Sequence, residues 1–299
     1  MPELHVLTQS SLGNLQSCEE KFRLRYLEGL RPMETKPHFS VGTGFHAGVE
    51  LVNPDAGVQA LREARGEPYT EQERDSLVRD SAIVYAMVEG ALARWSSWPE
   101  RKEVAFQVPL VNPLTGSKSR THDFGGVLDG LWMSEDSLLE LKTTSRLDRD
   151  YIARLDIDFQ VTSYLAAASM LTGRDIRRMV YRVARKPSIR QRKNETPAEY
   201  GERVIADYRE RPDFYFSEVI VTRTEQDLER WRWEVWTLHQ RVLDLKRGDF
   251  PIRNTRACLD FGRCAYFELC TGQIGPEAFR VEEDANPELP EIRQTVRSK

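Results

Sequence analysis

Residues 125–144, GGVLDGLWMSEDSLLELKTT, constrain this chain more tightly than any other stretch. Val127-Leu128-Asp129 reads as an apolar strand carrying one acid, and Leu138-Leu139-Glu140-Leu141-Lys142 as another carrying an acid and a lysine; between them Met133-Ser134-Glu135-Asp136 is a polar turn. Two apolar runs joined by so short a polar connection predict a β-hairpin. Side chains at i and i+2 of a strand point the same way, so Glu140 and Lys142 share a face that Asp129 on the partner strand can reach. Paired carboxylates suit a hard divalent cation such as Mg²⁺, and an adjacent ammonium can orient a water or steady developing negative charge. Taken alone, the pattern is more often that of a half-buried strand with a solvated face, with Asp129 before Gly130 as a turn signal.

A chain of 299 residues, 40% of them hydrophobic, can bury the core of one large domain or two ordinary ones. No positively charged start leads into an apolar run, and no stretch approaches the roughly eighteen apolar residues of a membrane span. The expected setting is therefore the cytoplasm. A net charge of −4 argues against indiscriminate coating of nucleic acid and leaves room for a local basic groove. Four cysteines occur, Cys18 near the start and Cys258, Cys264 and Cys270 within thirteen residues near the end. In a reducing compartment such crowding points to ligation rather than to disulfides.

Along the chain, Leu12, Leu15, Phe22, Tyr26 and Leu27 recur at helical spacing and predict a helix over 11–27 that carries Cys18. Ser40 caps a second helix, VGTGFHAGVE, whose glycines at 42, 44 and 48 imply that something comes close to its backbone. His46 and Glu50 share a face there. Amphipathic helices follow at about 56–65 and 70–95. From Lys102 the period becomes two, with Val104, Phe106, Val108 and Leu110 alternating with polar residues, and a further strand is expected near Thr121 ahead of the hairpin. After the hairpin, 146–158 reads as charged and irregular. A helix opens at Asp158 and runs to about Leu171, with Gln160 and Tyr164 one turn apart. A strand from Met179 closes at Pro187 and lies in the most basic run of the chain, Arg174 to Lys193, which includes Arg182, Arg185 and Lys186. Such a run is either a solvated face or a set of phosphate contacts. Then come a helix over 195–211, a strand over 214–223, and a helix over 224–248 whose tryptophans read as core. The trio C-x5-C-x5-C, with a fourth cysteine far upstream, fits a tetrahedral zinc or a [4Fe–4S] cluster, although the tight C-x2-C pairs usual for structural zinc are missing. Residues 273–299, rich in proline and acid, predict a flexible tail.

Leu128-Asp129 followed by Glu140-Leu141-Lys142 resembles the PD-(D/E)xK nuclease signature. The order Cys18, G-x-G-x-x-H ending at His46, LD, ELK, Gln160-x-x-x-Tyr164, then three cysteines is similar to RecB-like iron–sulfur nucleases, a group that includes CRISPR-adaptation nucleases, the AddB subunit and phage-encoded exonucleases. The C-x5-C spacing departs from the group's commoner C-x2-C and looks like the phage versions. The resemblance implies an α/β fold with a central mixed sheet flanked by helices, restriction-endonuclease-like, its two ends clasped by a [4Fe–4S] cluster on Cys18, Cys258, Cys264 and Cys270. It implies one nuclease domain over 1–272, comprising a helical part 8–99, a core 100–190 and a cysteine segment 255–271. His46, Asp129, Glu140 and the Leu141 carbonyl would hold Mg²⁺ or Mn²⁺, and Lys142 would position or help deprotonate the attacking water. Gln160 and Tyr164 would support the site or contact DNA, with Arg182, Arg185 and Lys186 on the DNA path. The expected activity is hydrolysis of DNA from ends or in single strands, in recombination, repair or phage DNA metabolism, with recombination or replication proteins as partners. Competing readings are a non-catalytic DNA-binding scaffold on a nuclease fold and a zinc-stapled RNA-processing factor.

Overall fold

The structure, a computed structural model, describes residues 5–33, 38–260, 262–287 and 289, the side chains of His38 and Phe39 excepted. The N-terminal part comprises β1 (Val6–Thr8), α1 (Gln9–Ser17), α2 (Glu19–Phe22) running into a π-helical turn (Arg23–Leu27), β2 (Leu30–Pro32), α3 (His38–Glu50), α4 (Pro54–Arg65) and α5 (Glu71–Arg94). The middle comprises β3 (Arg101–Val111), β4 (Lys118–Trp132), β5 (Ser137–Thr144), α6 (Arg149–Ala153) with a 3-10 turn (Arg154–Ile157), α7 (Phe159–Thr172) and β6 (Arg178–Arg185). The remainder comprises α8 (Pro197–Glu210), α9 (Pro212–Tyr215), β7 (Phe216–Thr222), α10 (Glu225–Lys246), α11 (Phe267–Cys270) and β8 (Phe279–Val281). Threonine sets four of the helix starts: Thr8, Thr70, Thr196 and Thr224 each close a capping box with the residue three positions on, satisfying amides that would otherwise be orphaned.

Six strands form one mixed sheet, in the order β1-β4-β5-β6-β7 with β3 on the other edge of β4. The pairs β1/β4 and β5/β6 are parallel, and β3/β4, β4/β5 and β6/β7 are antiparallel. Alternation sorts the apolar residues to two faces. Val104, Phe106, Val108, Leu138, Met179 and Val183 pack on α1, α7 and α10 through Leu12, Leu165 and Trp231. Leu139, Leu141, Val180 and Ala184 pack on α3, α5 and α8 through Phe45, Met87 and Val204. The sheet is thus sandwiched between two helical layers. Among the described residues, no helix is long and apolar enough to cross a membrane.

The two ends of the chain meet beside α1. Strands β2 and β8 pair antiparallel, Tyr266 donates its hydroxyl to Leu30 O at 2.8 Å, and the Arg241 fork grips both Glu19 oxygens at 2.8 and 2.7 Å. Asn286 Nδ2 donates to Val6 O at 2.9 Å, and Ala285 and Leu289 are buried. These contacts correct the expected flexible tail: pairing and burial hold it as far as Leu289, and residues 290–299 lie outside the described ones. The expected helix over 11–27 is also broken. Cys18 takes an extended conformation (φ −167°, ψ 118°) that ends α1 and starts α2. The segment 146–158 is more ordered than its composition suggests, because Asp148 caps α6 by accepting the Tyr151 amide at 2.9 Å.

The glycines of α3 serve helix packing. A Cβ on Gly44 would lie 2.7 Å from the Gly57 carbonyl oxygen of α4, and one on Gly48 would lie 2.6 Å from Val88 Cγ2 of α5. Gly44→Ala is therefore expected to cost about 1–3 kcal/mol of overpacking strain, read as a lower denaturation midpoint. Gly13→Ala, whose nearest foreign atom is 3.7 Å away, is the control and should leave the midpoint unchanged or raise it.

Candidate active site

The site forms where β4 and β5 come apart. Their ladder runs Trp132/Ser137, Leu131/Leu138 and Gly130/Leu139, one step short of bringing Asp129 opposite Glu140. Farther along, β1 occupies that edge of β4, pairing with residues 123–125. At the fork the Asp129 carboxylate substitutes for the missing strand, its Oδ2 accepting the Leu141 amide at 2.6 Å. On the other edge, β3 places Glu103 across from Asp129, between the pairs Lys102/Gly130 and Val104/Leu128. Glu103 has φ +46°, a left-handed conformation that is unfavourable for a residue with a side chain and that concentrates at functional sites.

Both helical layers contribute to the fork. From α3, His46 Nδ1 lies 3.7 Å from Asp129 Oδ1, and its ring hydrogen-bonds the Leu141 backbone. Donor atoms of His46, Glu103 and Asp129 lie within 4.8 Å of one another. From α7, Gln160 Nε2 donates to Glu140 Oε1 at 2.8 Å, where Lys142 Nζ also binds at 2.5 Å. Tyr164, one turn on, hydrogen-bonds Gln160 and sets its ring edge-on to Phe106 at 5.8 Å. Glu140 is 1% exposed, and its Oε2 is buried with no hydrogen-bond partner among the described residues.

Burial and crowded acids set the charges. Burial, followed by the Lys142 charge, pulls the His46 ring down to about 4, so it is a neutral imidazole at pH 7. Burial pushes the Glu140 carboxyl up to about 7 against the pull of Lys142, with Asp129 adding to the rise, and raises Asp129 as well. Glu103, at the exposed rim, rises to about 7 through partial burial and the charges of Asp129, Glu50 and Glu140. Burial works against the Lys142 ammonium, but Glu140 and Asp129 outweigh it and raise its pKa. Three carboxyls forced together around one ammonium, with an orphaned buried oxygen and an unprotonated imidazole, fit a divalent cation. His46, Glu103, Asp129 and Glu140 could hold it, with the Leu141 carbonyl beside them.

The model of the PD-(D/E)XK nuclease superfamily matches residues 6–271. The chain belongs to that superfamily. A crystal structure from Eubacterium rectale, of a protein provisionally named an exonuclease, shares the fold with a TM-score of 0.53 at 13% identity; the match covers 90% of this chain and 94% of that one. No curated protein matches the chain.

In this PD-(D/E)XK nuclease, His46, Asp129, Glu140, Leu141, Lys142, Gln160 and Tyr164 all meet at one fork. Glu103 is the residue that sequence reasoning missed. An acid at the start of an edge strand reads as solvated, and only the β3/β4 register, which turns on where the 112–117 loop ends, brings it to Asp129. Arg182, expected on a DNA path, is buried instead. It is 4% exposed, bound to Glu218 at 2.7 Å and Ser97 O at 2.7 Å, and enclosed by the rings of Trp95, Trp98 and Trp132. Much of the basic run is neutralised locally, Arg174 by Asp136, Arg177 by Asp175 and Glu225, and Arg178 by Glu135. Arg185 and Lys186 stand at the carboxyl end of β6, where Arg185 is in register with Thr144, two residues beyond Lys142.

The four cysteines gather at the junction of the chain ends. Asn254 N donates to Cys18 Sγ at 3.4 Å, and Cys264 N donates to Cys258 O at 2.8 Å. Burial raises the Cys258 and Cys270 thiols, and Cys264 and Cys18 act electrostatically on both.

A carboxyl with a raised folded pKa binds its proton more tightly in the folded chain than in the unfolded one. The metal-free fold therefore loses stability through Glu140 as pH rises from 4.5 to about 7, whereas the lowered His46 acts in the opposite sense between about 4 and 6.5. Comparison with Glu140→Gln isolates the first contribution. In EDTA the variant should be more stable than wild type at pH 8, by up to about 3 kcal/mol, and the difference should shrink towards pH 4.5. Denaturant unfolding at the two pH values checks this.

Proposed function

We propose that this nuclease is a Mg²⁺- or Mn²⁺-dependent exonuclease of the RecB-like iron–sulfur branch, acting on DNA ends or single strands in recombination, repair or phage DNA metabolism. The observation that carries the reading is the buried, unpartnered Glu140 Oε2 beside Asp129, His46 and Lys142. Lys142 and Gln160 both bind Oε1, which leaves Oε2 as the oxygen free to meet a cation. When bound, the cation would polarise the scissile phosphate and lower the pKa of an attacking water. Lys142, kept fully protonated by its neighbours, orients the water and offsets charge building on the phosphate, and its raised pKa argues against a role as general base. Gln160 holds the Glu140 carboxylate in one rotamer, and Tyr164 braces Gln160. His46, neutral at working pH, is ready to ligate without first losing a proton. The exonuclease name of the Eubacterium rectale protein supports action on ends.

Arg185 and Lys186 are proposed to take phosphates leaving the fork, since they stand at the end of the sheet towards which β5 carries Lys142. One assay tests these assignments on end-labelled and circular DNA with Mg²⁺, Mn²⁺ or EDTA. Wild type should degrade linear DNA and spare circles. Glu140→Ala should lose at least about 1,000-fold in kcat with DNA binding retained. Arg185→Ala with Lys186→Ala should raise KM and flatten the salt dependence by about 0.7 log–log units per contact on single strands. Cleavage by Glu140→Ala at the wild-type rate would sink the metal site.

We further infer a structural [4Fe–4S] cluster on Cys18, Cys258, Cys264 and Cys270. Four sulfur donors from both ends of the chain, with no histidine among them, suit it. Protein purified without oxygen should be brown, with broad absorbance near 400 nm as iron–sulfur clusters generally show. Cys18→Ala should lose that colour and some thermal stability. Colourless protein with stoichiometric zinc would replace the cluster by a zinc clasp.

A further inference from the structure

Arg223, at the end of β7, is 5% exposed. Among the described residues no carboxylate pairs with it; Asp227, Asp158 and Asp156 act on it only electrostatically, and burial lowers its pKa. Its fork is spent instead on neutral oxygens: Nε donates to Thr162 Oγ1 at 2.7 Å, Nη2 to Leu155 O at 2.6 Å and to Asp158 O at 3.3 Å, and Nη1 to Thr222 O at 3.0 Å. Burying a cation without a counter-ion is costly. Its location adds to the cost, because these oxygens surround the N-terminus of α7, the positive end of the helix dipole. In return the fork satisfies four acceptors, and the cost of the buried charge calls for an explanation in what those acceptors hold.

The explanation lies in what that first turn carries. Asp158 caps α7 by accepting the Val161 amide at 3.1 Å, and Thr162 donates its hydroxyl back to Asp158 O at 3.0 Å. Gln160 sits between them and reaches Glu140. One guanidinium thus ties the 3-10 turn before α7, the cap residue and the first helical turn to the far strand of the sheet. Trp231 Nε1 adds a second bolt from α10 to Ser163 Oγ at 2.8 Å. A Lys ammonium offers a point charge in place of this planar fork.

We propose that Arg223 is a positioning residue for the nuclease site, fixing the first turn of α7 so that Gln160 holds Glu140 in its metal-binding rotamer. The proposal rests on the nuclease reading above. Arg223 holds the start of α7 and not the carboxylates themselves, so its effect on the site passes through that helix, and a double-mutant cycle measures how much of it runs through Gln160.

The experiment compares wild type, Arg223→Gln, Gln160→Ala and the double variant. Each is assayed for kcat and KM on linear DNA, and for Mn²⁺ affinity by calorimetry on the metal-free protein. Arg223→Gln is expected to lower kcat about 10- to 100-fold and to weaken Mn²⁺ binding, with KM for DNA unchanged. On the Gln160→Ala background the same substitution should change both quantities by less than about twofold, because the group through which it acts is gone. Arg223→Lys should share the deficit, having kept the charge and lost the fork. Thr162→Val, a milder cut of the same contact, repeats the cycle if Arg223→Gln fails to fold. Equal losses on both backgrounds, or wild-type behaviour of Arg223→Lys, would overturn the role. A wild type that neither cleaves DNA nor binds Mn²⁺ would overturn the nuclease reading itself, a result distinct from additive losses in an active enzyme.

Discussion

Where β4 and β5 diverge, the Leu141 amide needs an acceptor that the neighbouring strand no longer provides, and the Asp129 carboxylate supplies one at 2.6 Å. The active site follows from this substitution. A continued ladder would have left no cleft between the strands, and a cleft without the carboxylate would have left a buried amide unpaired, at about 1–3 kcal/mol. With one oxygen committed to the backbone and the other turned towards His46, Asp129 is both a structural and a chemical residue. Its two tasks cannot be separated by a substitution that keeps only the shape.

The hairpin was legible because two strands with a short polar turn allow one dominant register, and the register alone brings the ELK strand beside Asp129. Gln160 and Tyr164 were legible through the order of motifs, though their contact with Glu140 depends on the sandwich of helices over the sheet. Other features depend on partners distant in sequence. Arg182 reads as one more arginine in a basic run until Trp95, Trp98 and Trp132 are known to surround it. Cys18 reads as helical because its neighbours are apolar at helical spacing, and the break there serves contacts from residues more than two hundred positions away. Glu103 was missed for the same reason, since an isolated acid on a strand acquires meaning only from the strand beside it.

Ordinary side-chain chemistry already joins the chain ends. The Glu19 carboxylate accepts both arms of Arg241 and the Ile252 amide, interactions that together hold its pKa below the usual range. A cluster on the four cysteines would add to this junction rather than create it. The nuclease sheet and the cysteine segment are therefore mechanically connected through α1, which ends at Cys18, and α2, which begins with Glu19.

Strand β1 spans Val6–Thr8, yet the Val6 carbonyl finds a partner in Asn286, and β2 pairs with β8. Contacts of such long sequence separation form late, after the entropy of closing a very long loop has been met. The β4–β5 fork needs only neighbouring segments, whereas β1, paired with β4 at residues 123–125, takes its last backbone partner from a residue 280 positions away. Residues near 286 thereby act as a late fastener on a strand whose ladder partner lies more than a hundred residues along the chain.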